Sequence, residues 1–260
     1  MIFDPSKPPL TDSAGLLKSI PVEAEPEIWK RATKVISSGL CDLQVNGFAG
    51  VDYNDPTLMP EEFEKSLFTM LSTGVTTCLP TVITGSEDWQ IQCFHALEEG
   101  RNSSKLAQTM IPGYHLEGPF LNPEEGFCGC HPSKWMRPAT WDHFERLQEA
   151  AGGRIKLITV APEIKGVLDL IPKLVEKGIA VAIGHCNPDH DTLLRAADAG
   201  VTLSTHLGNG IAQILPKKDN PILGQLAEDR FSASFIADGV HQQPHVLRVY
   251  LRAKQSSRTI

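Results

Sequence analysis

No stretch of the chain approaches the roughly 18 uninterrupted apolar residues that a membrane span requires, so a helical transmembrane protein is excluded. An excess of basic charge is also missing. The 24 Lys and Arg face 31 Asp and Glu, a formal net charge of −7, which argues against a surface that tracks nucleic-acid phosphates. Cysteine is sparse for 260 residues: Cys41, Cys78, Cys93, Cys128, Cys130 and Cys186. Several lie in apolar strand-like runs, which suits a reduced compartment better than a disulfide framework. Cys128-x-Cys130 lacks a second cysteine pair at zinc-site spacing and reads as two loop cysteines. The first residues show no basic segment followed by an apolar one, so no signal peptide is read and a cytoplasmic location is expected. No sequence repeat or low-complexity tract is present.

What is there is a core. Hydrophobic residues make up 41% and charged residues 21%, enough apolar content to exclude disorder and to fill one large domain or two small ones. Residues 1–38 carry prolines at 5, 8, 9, 21 and 26 and little periodicity. They are expected to form an arm or the remnant of a small β domain. From 39 to 260 the pattern is regular. β-rich runs at 40–46, 76–83, 110–117, 155–162, 179–184, 201–207 and 233–238 alternate with helix-like stretches at 60–72, 86–100, 139–151, 166–177 and 188–199. Gly74, Gly178 and Gly200 fall where helix C-caps belong, and Pro188-Asp189 opens a helix with acidic charge at its positive end. Repeated strand–helix units predict parallel strands joined by helical crossovers, hence a (β/α)8 TIM-type barrel. Only seven strands are visible, and Arg258-Thr259-Ile260 reads as the first step of an eighth.

In such a barrel the strand C-termini share one face, where catalytic groups gather. Strand three ends in His115-Leu116-Glu117, strand five in Gly184-His185, strand six in Thr205-His206, and strand seven in Asp238-Gly239, leading to His241. Glu117, His185 and His206 make a three-ligand metal set. One carboxylate and two imidazoles suit a catalytic Zn²⁺ with a position left for water, although another divalent ion would also fit the donors. His115, two residues before Glu117, faces the same side of its strand, either as a fourth ligand or as a partner of the ligands. His95, His143, His190 and His245 read as surface or packing residues.

Several stretches together carry a resemblance. They are Gly39-Leu-Cys-Asp-Leu-Gln-Val-Asn-Gly47, Gly74-Val-Thr-Thr77, Gly113-Tyr-His-Leu-Glu-Gly-Pro-Phe120, Cys130-His131-Pro132, Gly184-His185, Thr205-His-Leu-Gly-Asn-Gly210 and Ala237-Asp-Gly-Val-His241. With them, residues 39–260 resemble the N-acetylglucosamine-6-phosphate deacetylases of the amidohydrolase superfamily. The resemblance implies Glu117, His185 and His206 as ligands of one zinc ion per chain. It implies His131 as the catalytic group that polarises the acetyl carbonyl. Substrate contacts are implied at Cys130, His131, Asn209, Gly210, Lys217 and His241, with the Asn209 and Gly210 main-chain N–H groups facing the sugar phosphate. Lys217 stands where the family carries an arginine, and two solvated lysines, Lys217 and Lys218, are the alternative. Gln44 and Asn46 occupy the positions of a second-metal His-x-His, which implies the single-metal branch.

The implied reaction removes acetate from N-acetylglucosamine 6-phosphate in amino-sugar catabolism, in a homodimer without nucleic-acid or membrane partners. The family's general-base aspartate ends strand eight and is expected to be absent from these 260 residues, as is most of the flanking β-sandwich. Asp238 is its only nearby substitute. An amidohydrolase acting on another N-acyl amino sugar, and a relic without turnover, are the alternatives.

Overall fold

The computed structural model describes residues 39–260; the expected N-terminal arm lies outside the described residues. The seven expected strands all form. They are β1 (Leu40–Val45), β4 (Val75–Val82), β5 (Tyr114–Glu117), β6 (Ile155–Val160), β7 (Ala180–Ile183), β8 (Leu203–Ser204) and β9 (Ser232–Ala233). They make one sheet in the order β1-β4-β5-β6-β7-β8-β9, and each pairing from β4 to β9 is parallel. Beyond β9, Thr259 forms a parallel bridge to Ala233, and the Ile260 N–H donates to the Ala233 carbonyl at 2.9 Å. The result is a curled parallel sheet clothed in helices, an incomplete barrel. A short antiparallel pair, β2 (Gly47–Phe48) and β3 (Val51–Asp52), follows β1.

The crossovers are helices for local reasons. α1 (Pro60–Leu71) begins with a proline and has Glu61 and Glu62 in its first turn, where the helix dipole favours negative charge. Its buried side chains, Phe63, Ser66, Leu67 and Met70, follow the spacing of one helical face. After α2 (Glu87–Ser103) and the short α3 (Lys105–Met110), α4 (Trp141–Ala150) is capped by the Thr140 hydroxyl. α5 (Val167–Glu176) buries Val167, Leu170, Ile171 and Leu174 despite Pro172 inside it. In α6 (His190–Ala199), Asp189 is the N-cap, accepting from the Thr192 N–H at 2.8 Å, and Gly200 ends the helix at φ 115°. α7 (Pro221–Ala227) and α8 (Pro244–Lys254) are the last two α-helices among the described residues; neither was expected from sequence, and nor was α3. No helix among the described residues is long and apolar enough to cross a membrane.

Strand alternation then separates two environments. On β5, Tyr114 and Leu116 point outward into the main apolar core beneath the helices, while His115 and Glu117 take the opposite face, inside the curl. There a thin apolar layer of Leu79, Leu157, Ala182 and Leu203 is joined by a polar chain. The His115 ring contacts the Leu43 carbonyl through Nδ1 at 3.1 Å and the Thr159 hydroxyl through Nε2 at 2.7 Å. Thr159 in turn contacts Thr205 at 2.9 Å. A carbonyl only accepts, so Nδ1 carries the hydrogen and Nε2 accepts from Thr159. His115 is therefore a cross-strand tie in the barrel floor, not a metal ligand and not in contact with Glu117.

Burial pushes the His115 imidazole down to about 4 from an ordinary 6.5. The unfolded chain thus takes up the proton first, and stability falls as the pH drops from about 6.5 towards about 4. Replacing His115 with Leu should cost about 1–3 kcal/mol at neutral pH by leaving two buried partners unpaired. It should also remove a stability loss of up to roughly 3 kcal/mol across that acid window. Urea unfolding of the two proteins at pH 7 and pH 4.5 checks both; an unchanged pH slope would contradict the tie.

Candidate metal centre

Four buried ionisable side chains converge at the C-terminal face. Glu117 is 2% exposed, His131 3%, His185 6% and His206 7%. Glu117 Oε1 lies 2.8 Å from His206 Nε2 and 3.4 Å from His185 Nε2, and Oε2 lies 3.5 Å from His131 Nε2. Burial alone would raise the Glu117 carboxyl, but the contacts with His131, His185 and His206 outweigh it and hold the group ionised, well below the usual carboxylate range.

The three histidines are held in different ways. His185 Nδ1 faces the Phe127 carbonyl at 2.8 Å. That nitrogen must carry the hydrogen, so the Nε2 lone pair is turned towards Glu117, the tautomer a metal ligand needs. Both His185 and His206 sit at positive φ, 51° and 33°, where non-glycine residues are strained. The turn at His206 is secured by the Ser234 hydroxyl, which accepts its N–H at 2.8 Å. His131 behaves differently. The Thr84 main-chain N–H points at His131 Nδ1 at 3.3 Å, making Nδ1 an acceptor and leaving the hydrogen on Nε2. That Nε2–H is buried without a hydrogen-bond partner among the described residues. His131 is thus a donor aimed into the site, while His185 is an acceptor.

The remaining expected residues fall into two groups. Gly210 reaches the centre: a Cβ there would meet His185 Nδ1 at 2.4 Å, so only glycine permits this approach without displacement. Gly129 packs on the same ring from the other loop. Cys130 is exposed, and burial followed by the Glu117 charge raises its thiol, which places it within that carboxylate's field. Asn209 differs from expectation, because its N–H donates to the His206 carbonyl at 2.9 Å and is spent within the turn. Lys217 and Lys218 are exposed and make no ion pair among the described residues. His241 is exposed and held by Asp238 rather than by the cluster. Asp238 Oδ2 contacts its Nδ1 at 2.6 Å, and Oδ1 accepts the N–H groups of Val240 and His241. These bonds, led by that from the His241 N–H, depress Asp238 to about 2. With both oxygens engaged, Asp238 is a weak base, and no aspartate among the described residues hydrogen-bonds the cluster.

Two residues gained roles that sequence reading missed. Gln44 donates from Nε2 to Glu117 Oε2 at 3.0 Å; the sequence showed only that it replaces a better ligand. Thr84 orients His131 through its main chain, which no residue pattern could signal.

The donor set fits a divalent ion. One ligand atom each from Glu117, His185 and His206 lies within 4.8 Å of the others, and all three residues are buried. No protein-family model matches the chain. The chain is 33% identical over 236 residues to the N-acetylglucosamine-6-phosphate deacetylase of Bacillus subtilis, covering 90% of this chain and 59% of that protein. Its relatives are N-acetylglucosamine-6-phosphate deacetylases, matched over part of their length. Another relative is the N-acetylgalactosamine-6-phosphate deacetylase of a Shewanella species, 31% identical, covering 92% of this chain and 59% of that one. Among solved structures, a variant of the Mycobacterium smegmatis N-acetyl-D-glucosamine-6-phosphate deacetylase, in complex with N-acetyl-D-glucosamine-6-phosphate, superposes with a TM-score of 0.76 at 27% identity. The match covers 85% of this chain and 56% of that one. The chain therefore spans a little over half the length of the deacetylases it matches.

The two tautomers separate two roles. His185→Ala should abolish stoichiometric zinc uptake, whereas His131→Ala should leave one zinc per chain, both read by metal analysis after gel filtration. Full occupancy in the His185 variant, or loss in the His131 variant, would contradict the assignment.

Proposed function

We propose that this chain belongs to a metal-dependent deacetylase that hydrolyses N-acetylglucosamine 6-phosphate to glucosamine 6-phosphate and acetate. The observation that carries the reading is the buried cluster itself: three metal-donor atoms within 4.8 Å of one another, and beside them a histidine N–H with no partner of its own. Glu117, His185 and His206 would hold the ion, zinc by its donor set, one per chain. When bound, such an ion supplies Lewis acidity and brings the pKa of water towards neutrality.

The chain's own residues account for the rest of the arrangement. Glu117 brings a negative charge that offsets the cation's, and Gln44 occupies its second oxygen. His185 keeps its Nε2 lone pair available because the Phe127 carbonyl accepts its one ring hydrogen, on Nδ1. His131 Nε2–H is placed to donate to the acetyl carbonyl, and the bond should strengthen as that oxygen gains charge. In the overall reaction the amide C–N bond breaks, the water oxygen ends in acetate, and the amine leaves with a proton. Gly129 and Gly210 approach the His185 ring so closely that a side chain at either position would collide with it, which keeps the ring in place. Gly210, Cys130, Lys217 and His241 are proposed for the sugar-phosphate side, in a cytoplasmic homodimer.

A second reading has its own support. The Shewanella relative is named for the galactosamine epimer, so the 6-phosphate of another N-acetyl hexosamine is the competing substrate. Acetate release by the zinc-loaded chain should be faster with N-acetylglucosamine 6-phosphate than with its galactosamine epimer, and should fall at least about 100-fold in His131→Ala. The reverse preference would favour the second reading. Bound zinc with no release from either sugar would reject both for this chain and favour a metal-binding relic.

A further inference from the structure

The His185 main chain is bracketed by a second, partly buried carboxylate that the proposed chemistry does not use. Glu163 follows β6 in the loop Ala161-Pro162-Glu163. Its Oε1 accepts from the Asn122 side-chain amide at 3.0 Å and from the Asn187 main-chain N–H at 2.5 Å. Asn122 in turn donates its own main-chain N–H to the His185 carbonyl at 3.1 Å. Its side-chain oxygen accepts from the Glu124 N–H at 2.8 Å, so both ends of the amide are fixed. Asn187 lies two residues beyond His185. One oxygen of Glu163 therefore ties the loops after β5, β6 and β7 together at the point where His185 holds its strained φ of 51°.

An apolar residue would fill this space at lower desolvation cost, the more so because Glu163 Oε2 is shielded from water without a hydrogen-bond partner among the described residues. What a carboxylate adds is an oxygen that takes two N–H donors from two different loops. A left-handed histidine relaxes towards ordinary backbone angles unless its surroundings over-determine it. Relaxation there would swing the imidazole away from Glu117. Cys186, the intervening residue, is buried at 3% exposure, and its thiol accepts from the Gln225 side-chain amide at 4.0 Å.

We propose that Glu163 is a positioning residue for the metal centre, holding the His185 main chain through Asn122 and Asn187 so that the imidazole stays aimed at Glu117. The inference rests on the metal-site reading above and adds to it a residue that touches neither ion nor sugar. It predicts coupling between a carboxyl in the β6 loop and ligand geometry in the β7 loop.

The test measures zinc affinity by competition with a chromophoric chelator, together with amide hydrogen exchange of the metal-free chain. Glu163→Ala should weaken zinc about 10–100-fold, the usual effect of losing an outer partner of a ligand. Glu163→Gln keeps the accepting oxygen and should bind close to the parent. Tyr114→Phe serves as the control, since it deletes a buried hydrogen bond to Glu98 away from the centre, and its zinc affinity should be unchanged. In Glu163→Ala the Asn122 and Asn187 amides should exchange faster. Parent-like affinity in Glu163→Ala, an equal loss in the Tyr114 control, or no rescue by Gln would each overturn the proposal. If Glu163→Ala does not fold, Asn122→Ala removes one donor and decides in the same way: weaker zinc supports the bracket and parent affinity overturns it. If the parent takes up no zinc, the metal reading fails separately, and unchanged exchange at Asn122 would overturn the bracket too.

Discussion

A single buried carboxylate organises the C-terminal face of this sheet. Glu117 is almost fully removed from water, yet it is held ionised because three imidazoles and the Gln44 amide surround it. Removing a carboxylate from water costs several kcal/mol, and only close, well-directed partners offset that. Its position therefore constrains everything around it. The end of β5 must deliver Glu117 inward, the ends of β7 and β8 must deliver two histidines to it, and the loop carrying His131 must fold back over the opening.

Those deliveries are made at a cost to the backbone. His185 and His206 both leave their strands at positive φ, a conformation worth of order 1–3 kcal/mol of strain apiece. The compensation is local and polar: the Phe127 carbonyl on one ring, the Ser234 hydroxyl on one main chain, and glycine at 129 and 210, where any side chain would collide with His185. Beneath this layer, the chain of His115, Thr159 and Thr205 ties β1, β5, β6 and the residue after β8. The centre thus sits on a hydrogen-bonded floor instead of a purely apolar one. The apolar core beneath the helices supplies the stability that such a polar interior consumes.

Much of this was legible in the residues. Strand periodicity and the glycines after the helices located all seven strands, and the rule that parallel strand ends share a face picked out Glu117, His185 and His206. What stayed hidden was of three kinds. Short elements such as α7 and β2–β3 carry too few turns for a pattern to register, and the 11-residue α8 buries only Lys254, so it shows no core-facing apolar stripe. Contacts made by main-chain atoms leave no mark in side-chain identity: Thr84 acts on His131 through its N–H, and Asn209 spends its N–H on the His206 carbonyl rather than keeping it for a phosphate. His115 shows the limit from the other direction. Strand alternation placed it correctly on the inner face, but alternation does not tell a ligand from a floor tie one layer below.

The central claim, that Glu117, His185 and His206 form the metal site, is tested most directly by zinc-edge X-ray absorption on the zinc-loaded chain. The account predicts a shell of nitrogen and oxygen at about 2.0–2.2 Å, with the multiple-scattering signature of two imidazoles and no sulfur. A sulfur shell at about 2.3 Å would place the ion on Cys128 and Cys130 instead, and would contradict the account.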